Sequence, residues 1–175
     1  MSEEIRVLIS EEEIEERIRE MGRQISEFYQ GEPVHLVSVL KGGVFFTCEL
    51  AKRLSVPVSF DFMSVSSYGA GTKSSGVVKV IKDLDEAIEG KHVLVVEDIV
   101  DSGRTLSYLL ENLKSRKPKS LRLCTLLDKP ERRVTDVHVD YTGFEIPDEF
   151  VVGYGLDYMQ HYRNLPYIGV VELDA

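Results

Sequence analysis

A mixed α/β fold, with a mainly parallel central sheet flanked by helices, is what the sequence predicts, and three observations predict it. Short β-branched runs recur, among them VHLVSVL (34–40), HVLVV (92–96) and LRLCTLL (121–127), and they lack polar alternation, as strands buried on both faces do. Glycine-bearing polar turns follow the first two, at Lys41-Gly42-Gly43 and around Gly103. Segments with apolar residues at helical spacing stand between the runs, so strand and helix alternate early in the chain, as parallel pairing requires.

The elements follow in order. Ser10 with Glu13 has the form of a capping box, and Ile14, Ile18, Met21, Ile25 and Phe28 continue at helical spacing, predicting a helix packed by that face. VHLVSVL is a strand that stops at Lys41-Gly42-Gly43 and hands over to a helix through VFFTCELAKRL (44–54). VPVSFDFMSV (56–65) reads as a strand, SSYGAGTKSSG (66–76) as a small polar loop, and VVKVIKDL (77–84) as a strand. Past HVLVV, Leu106, Leu109, Leu110 and Leu113 mark one helical stripe that ends near Lys117-Pro118. LRLCTLL, VHVDYTG (137–143), FVVGYG (150–155) and YIGVVEL (167–173) supply further strands, and this strand-rich second half predicts a small added subdomain. With no internal repeat or low-complexity linker, residues 1–175 read as one domain.

Composition narrows the function. Hydrophobic residues make up 43% and charged residues 29%, as in a globular protein that buries one core. Lysine and arginine number 21 against 30 aspartates and glutamates, a net charge of −9, which argues against nucleic acid as partner because phosphate-backbone binding needs a basic face. The start, MSEEIRVLISEEE, lacks the pattern of a secretion signal, and no run of about 18 apolar residues could span a membrane, so a cytoplasmic protein without a membrane partner is expected. Cys48 and Cys124 sit singly in apolar segments and read as reduced core thiols; the four histidines are scattered, so no zinc is inferred.

The chemistry concentrates in VLVVEDIVDSGRTL (93–106). Adjacent carboxylates repel, so an acid pair at a strand end is not a favoured structural turn. In a parallel sheet, ligands bind beyond the carboxyl ends of the strands, where this reading puts Glu97, Asp98 and Lys41. Ser102-Gly103-Arg104-Thr105 opens a helix, and its N–H groups, hydroxyls and dipole end suit a monophosphate. Taken alone, D-x-G-x-T also fits a capped helix start behind a solvated acidic turn. Neither G-x-x-x-x-G-K-[ST] nor G-x-G-x-x-G occurs, so triphosphate hydrolysis and dinucleotide binding lose support. A ligand with one phosphate and a vicinal diol remains, a ribose 5-phosphate.

The segment VLVVEDIVDSGRTL resembles the phosphoribosyl-pyrophosphate motif of the type I phosphoribosyltransferases, and VSVLKGG, SSYG, LLDK and FVVGYGLDYMQHYRNLPYIGV resemble their hypoxanthine-guanine branch over nearly the whole chain. The resemblance implies a hood subdomain built from terminal segments and a flexible lid loop. It implies purine salvage: transfer of the 5-phosphoribosyl group from phosphoribosyl pyrophosphate to N9 of hypoxanthine or guanine, with Mg²⁺ as cofactor, in a homodimer or homotetramer. Glu97 and Asp98 would hold the ribose hydroxyls and serve the metal with Asp157. Asp101, Ser102, Gly103, Arg104 and Thr105 would wrap the 5-phosphate, and Asp101 would also exchange a proton with purine N7.

Lys41, Gly42 and Arg163 would contact pyrophosphate, in a loop where the family often carries a cis peptide, here looked for at Lys41-Gly42. Phe150 would stack on the purine and Val151 offer backbone groups to its edge, near Asp157. Lys129 would donate to the 6-oxo group, a contact that opposes the amino group of adenine because an ammonium only donates. Singly, Lys129 reads as surface, Phe150 as core, Arg163 as solvated and Asp157 as a turn residue. Ser67 and Tyr68 would head the lid that excludes water. Ser102 and Arg104 stand where many relatives have Thr and Lys. Two other readings stay open: a xanthine-accepting transferase, and a regulatory protein that senses phosphoribosyl pyrophosphate.

Overall fold

The structure, a computed structural model, describes residues 4–67 and 78–172. Six strands form the central sheet: β2 (Val34–Val39), β3 (Val58–Ser67), β4 (Val78–Lys82), β5 (His92–Val100), β6 (Ser120–Asp128) and β7 (Tyr141–Glu145), in the order β4-β3-β2-β5-β6-β7. All neighbours are parallel except β3 and β4. The sheet is therefore mainly parallel, as its unalternated strands require.

Both faces are covered. Leu36, Leu94, Val96, Cys124 and Leu126 point to one side, against α1 (Glu11–Tyr29) and α2 (Val44–Ala51). Val37, Val39, Val93, Val95 and Leu123 point to the other, against Leu106, Leu109 and Leu113 of α3 (Arg104–Lys114) and against Ile88. A period of two on buried strands thus builds two cores on either side of one sheet.

Both halves of the capping box form at the start of α1: Glu13 N–H donates to Ser10 Oγ and Ser10 N–H to the Glu13 carboxylate. Its buried stripe ends on Tyr29, whereas Phe28 is exposed and carries the Arg122 guanidinium on its ring at 3.7 Å. Arg17 fastens α1 to β7 through the carbonyls of Thr142 (2.7 Å) and Gly143 (3.0 Å).

The hood is a three-stranded sheet, β1 (Glu4–Ile9), β9 (Ile168–Glu172) and β8 (Val151–Val152), in the order β1-β9-β8, all antiparallel. It joins the two ends of the chain, as the resemblance implied, and Ile9, Val151, Ile168 and Val170 seal it onto the α1 side of the core.

Several boundaries differ from the sequence reading. Of VHVDYTG only residues 141–143 are strand, β7 running on to Glu145, because Asp140 caps the edge by accepting Leu123 N–H (2.8 Å) and His138 lies outside in solvent. FVVGYG keeps two strand residues, since Gly153, Tyr154 and Gly155 all take positive φ and turn the chain. α3 stops at Lys114, before Lys117 at φ 58°. Cys124 is buried but Cys48 is exposed, on the outer side of α2. A cis peptide joins Leu40 to Lys41, one bond before Lys41-Gly42.

Candidate active site

Parallel pairing brings the carboxyl ends of β2, β3, β5, β6 and β7 to one edge, and the described residues singled out from the sequence end or follow these strands, except Phe150, Val151, Asp157 and Arg163, which come from β8 of the hood and the segments beside it. Glu97 and Asp98 sit in the last turn-out of β5, both half-buried. Loss of hydration, and next the charge of Asp98, push the Glu97 carboxyl well above its usual range. Loss of hydration raises Asp98 as well, against the Ile99 N–H that donates to its Oδ1 at 2.7 Å and the nearby Arg163 charge. Such a pair gains from a cation or from hydroxyl donors.

The Lys41-Gly42-Gly43 loop folds over this pair. A Cβ at Gly42 would lie 1.9 Å from Asp98 Oδ2, and one at Gly155 would lie 2.0 Å from the Gly42 carbonyl oxygen. Three distant segments, 41–43, 97–98 and 153–155, therefore touch through positions that admit no side chain. Arg163 Nη1 donates to the Gly155 carbonyl (2.6 Å), and its Nη2 lies 3.4 Å from Asp157 Oδ1. Lys41 Nζ and Arg163 Nη2 share one acceptor, Gln160 Oε1, at 3.3 and 3.2 Å. Gln160 N–H in turn donates to Asp157 Oδ2 (2.8 Å). Lys41, Arg163 and Asp157 are thus brought together by Gln160, which carried no sequence signal.

Residues 101–103 form the bend before α3. Gly103 takes φ 84°, a left-handed conformation, and no side chain caps the helix. Arg104 and Thr105 open the first turn, and Ser102 Oγ accepts from Arg104 N–H at 3.4 Å. Asp101 does not cap the helix: its Oδ1 accepts from Arg132 Nε at 3.0 Å.

Asp101 lines a cavity of about 350 Å³ with Lys129, Phe150, Val151, Asp157 and Arg132, a size suited to a small ligand. Lys129 is buried at 8% exposure and Phe150 is 52% exposed, the reverse of what each suggests singly. Lys129 is inside because it follows β6, with its N–H donating to the Val100 carbonyl (3.0 Å) and its ammonium 3.6 Å from Asp148. Phe150 stands at the mouth with Tyr158 edge-on to it, ring centroids 5.6 Å apart. Arg132 also reaches Asp148 (3.6 Å), so Asp101, Arg132, Asp148 and Lys129 alternate in charge along the wall. Arg132 and Asp148 carried no sequence signal either.

Ser67 ends β3 opposite Val78. Tyr68 and the rest of the expected lid lie outside the described residues. Glu97, Asp98 and Asp157 offer only oxygen donors, and among the described residues no three carboxylate, histidine or cysteine side chains converge as a metal cage. That set fits a hard divalent ion which takes most of its ligands from water and substrate.

A family model described as "Phosphoribosyl transferase domain" matches residues 9–159. The chain is 55% identical over 175 residues to the hypoxanthine phosphoribosyltransferase of Salmonella typhimurium, covering 99% of this chain and 98% of that one. It is 57% identical over 167 residues to the bifunctional protein TilS/HprT of Listeria monocytogenes, covering 95% of this chain but only 26% of that protein's length. The crystal structure of a hypoxanthine phosphoribosyltransferase from Staphylococcus aureus superposes with a TM-score of 0.93 at 52% identity, covering 95% of this chain and 90% of the other. No described helix is long and apolar enough to cross a membrane. By its sequence, its sheet order and the cavity at the ends of its strands, the chain belongs to the phosphoribosyltransferase family, in the hypoxanthine(-guanine) branch.

Proposed function

We propose that the chain transfers a 5-phosphoribosyl group from phosphoribosyl pyrophosphate to N9 of hypoxanthine or guanine, forming the nucleoside monophosphate and pyrophosphate in purine salvage. The observation that carries this reading is that Lys129, a donor only, and Asp101 line one cavity beside the start of α3. An ammonium there can donate to a 6-oxo group and leaves an adenine amino group unsatisfied.

In this reading the first turn of α3 and the 101–105 bend hold the 5-phosphate, and Glu97 with Asp98 accept from the ribose hydroxyls. Phe150 stacks on the base while Val151 borders its edge. As N9 attacks the anomeric carbon and pyrophosphate departs, Asp101 takes up the proton at N7 and Lys129 holds O6. Lys41 and Arg163 hold the pyrophosphate, which replaces Gln160 Oε1 as their shared acceptor. Mg²⁺, held through Glu97, Asp98 and Asp157, would offset the charge gathering on the leaving group. The reacting ribose must be kept from water, the role that the resemblance gives to Ser67 and Tyr68. A cytoplasmic homodimer or homotetramer of single transferase domains completes the proposal.

The test is to mix purified protein, Mg²⁺ and phosphoribosyl pyrophosphate with hypoxanthine, guanine, xanthine or adenine and follow nucleotide formation. Conversion of hypoxanthine or guanine, with adenine left untouched, is expected. Sugar-phosphate binding without conversion of any 6-oxopurine would mean a sensor instead of an enzyme.

A further inference from the structure

We propose that Arg133 is a positioning residue for the phosphate cradle, holding the acceptor oxygens of the 101–103 bend away from the ligand. This role rests on the transferase reading. Its guanidinium forks: Nη1 donates to the Asp101 carbonyl at 2.8 Å and Nη2 to Asp128 Oδ1 at 2.6 Å. Asp128 is 7% exposed and ends β6, immediately before Lys129. One planar cation therefore ties the strand that bears the base-contacting lysine to the bend that receives the phosphate, a geometry a single ammonium cannot reproduce.

The next two residues continue the same work. Val134 N–H and Thr135 N–H both donate to the Ser102 carbonyl, at 3.0 and 3.1 Å, and the Gly103 carbonyl accepts from Ser107 N–H at 2.9 Å within α3. Three successive carbonyls are thus drawn to protein donors. A carbonyl turned toward a phosphate would repel it, whereas the opposite edge of the same peptides offers N–H groups. The backing is tight: a Cβ at Gly103 would lie 2.6 Å from the Thr135 carbonyl oxygen and 3.2 Å from Arg133 Cδ, so no water layer separates bend and support. Arg133 does not itself line the base cavity, as Arg132 does, and reaches it only through the Asp101 carbonyl.

Two variants separate positioning from folding. Arg133→Lys keeps a charge beside Asp128 and loses the fork, while the double variant Asp128→Asn/Arg133→Gln removes both charges of the ion pair together. Calorimetric titration with ribose 5-phosphate is expected to weaken about tenfold in each, the worth of one charged hydrogen bond. The KM for phosphoribosyl pyrophosphate should rise alike, with kcat and the KM for hypoxanthine within about threefold of the parent. A merely structural role would lower the melting temperature and kcat and leave both KM values alone, and that pattern would overturn the inference. So would wild-type affinity for ribose 5-phosphate in Arg133→Lys. Failure of the wild-type chain itself to bind ribose 5-phosphate would overturn the transferase reading, and this role with it.

Discussion

Replacing Gly42 by alanine tests the contact that joins the acid pair to the loop above it. The added Cβ would stand 1.9 Å from Asp98 Oδ2 and 2.7 Å from its Cγ, where real Cβ contacts essentially never fall under 3.0 Å. The carboxylate or the loop must yield by roughly 1 Å, a displacement that costs about 10²-fold in rate when it falls on reacting groups. Asp98 cannot swing aside freely, because its Oδ1 is held by Ile99 N–H, and the loop cannot rise freely, because the Gly42 carbonyl lies against Gly155. Gly42 has no positive φ, so alanine adds no left-handed strain, and the fold should survive with a melting temperature lowered only by the cost of that local displacement. Steady-state transfer to hypoxanthine is therefore expected to fall about 100-fold in Gly42→Ala. Gly31→Ala serves as the control: nothing lies within 4 Å of its Cβ, though φ is 81°, so it should cost about 1 kcal/mol of stability and leave transfer intact. Activity of Gly42→Ala within threefold of the parent would refute the reasoning that this approach sets the position of Asp98.

Other expectations follow from the same geometry. Lys129→Met should lower kcat/KM for hypoxanthine by about 100-fold through loss of a charged donor, and it should narrow the gap to adenine, read from rates on both bases. Gln160→Glu places a carboxylate between Lys41 and Arg163, so the KM for phosphoribosyl pyrophosphate should rise severalfold in initial-rate assays as it competes with pyrophosphate for both cations. Burial first, and Lys91 next, hold the His35 imidazole below its ordinary 6.5, so its contribution to stability is full above that pH and fades as pH falls toward the native value. Burial opposes the Asp61 anion, but the N–H groups of Asp85, Phe62 and Glu86 outweigh it and hold the carboxyl below 3.8, which adds a second loss as pH falls through that lower value. Melting temperatures across pH should show both losses, and His35→Gln should remove the one just below pH 6.5.

Local signals were readable where local physics decides. The Ser10/Glu13 capping box formed as written, the unalternated runs became the parallel strands, and Ser102-Gly103-Arg104-Thr105 opened a helix. β1 escaped the sequence reading because its partner, β9, lies at the other end of the chain; nothing local in EIRVLI announces that pairing. Phe28 and Tyr29 both continue the helical spacing, and packing against the sheet takes Tyr29 into the core and leaves Phe28 outside under Arg122. In the site, the motif residues were legible as motifs, but Arg132, Arg133, Asp148 and Gln160 act through partners 3 to 119 residues away. Such contacts are set by how strand ends meet, and no spacing rule encodes them.

The central claim is that the 5-phosphate settles on the first turn of α3 with the ribose diol against Glu97 and Asp98. A crystal structure of the protein soaked with phosphoribosyl pyrophosphate and Mg²⁺ tests it most directly. Phosphate oxygens are expected within hydrogen-bond reach of the backbone N–H groups of residues 102–105, with both ribose hydroxyls on the acid pair. A donor bound with its 5-phosphate elsewhere, or with those two carboxylates turned from the sugar, would contradict it.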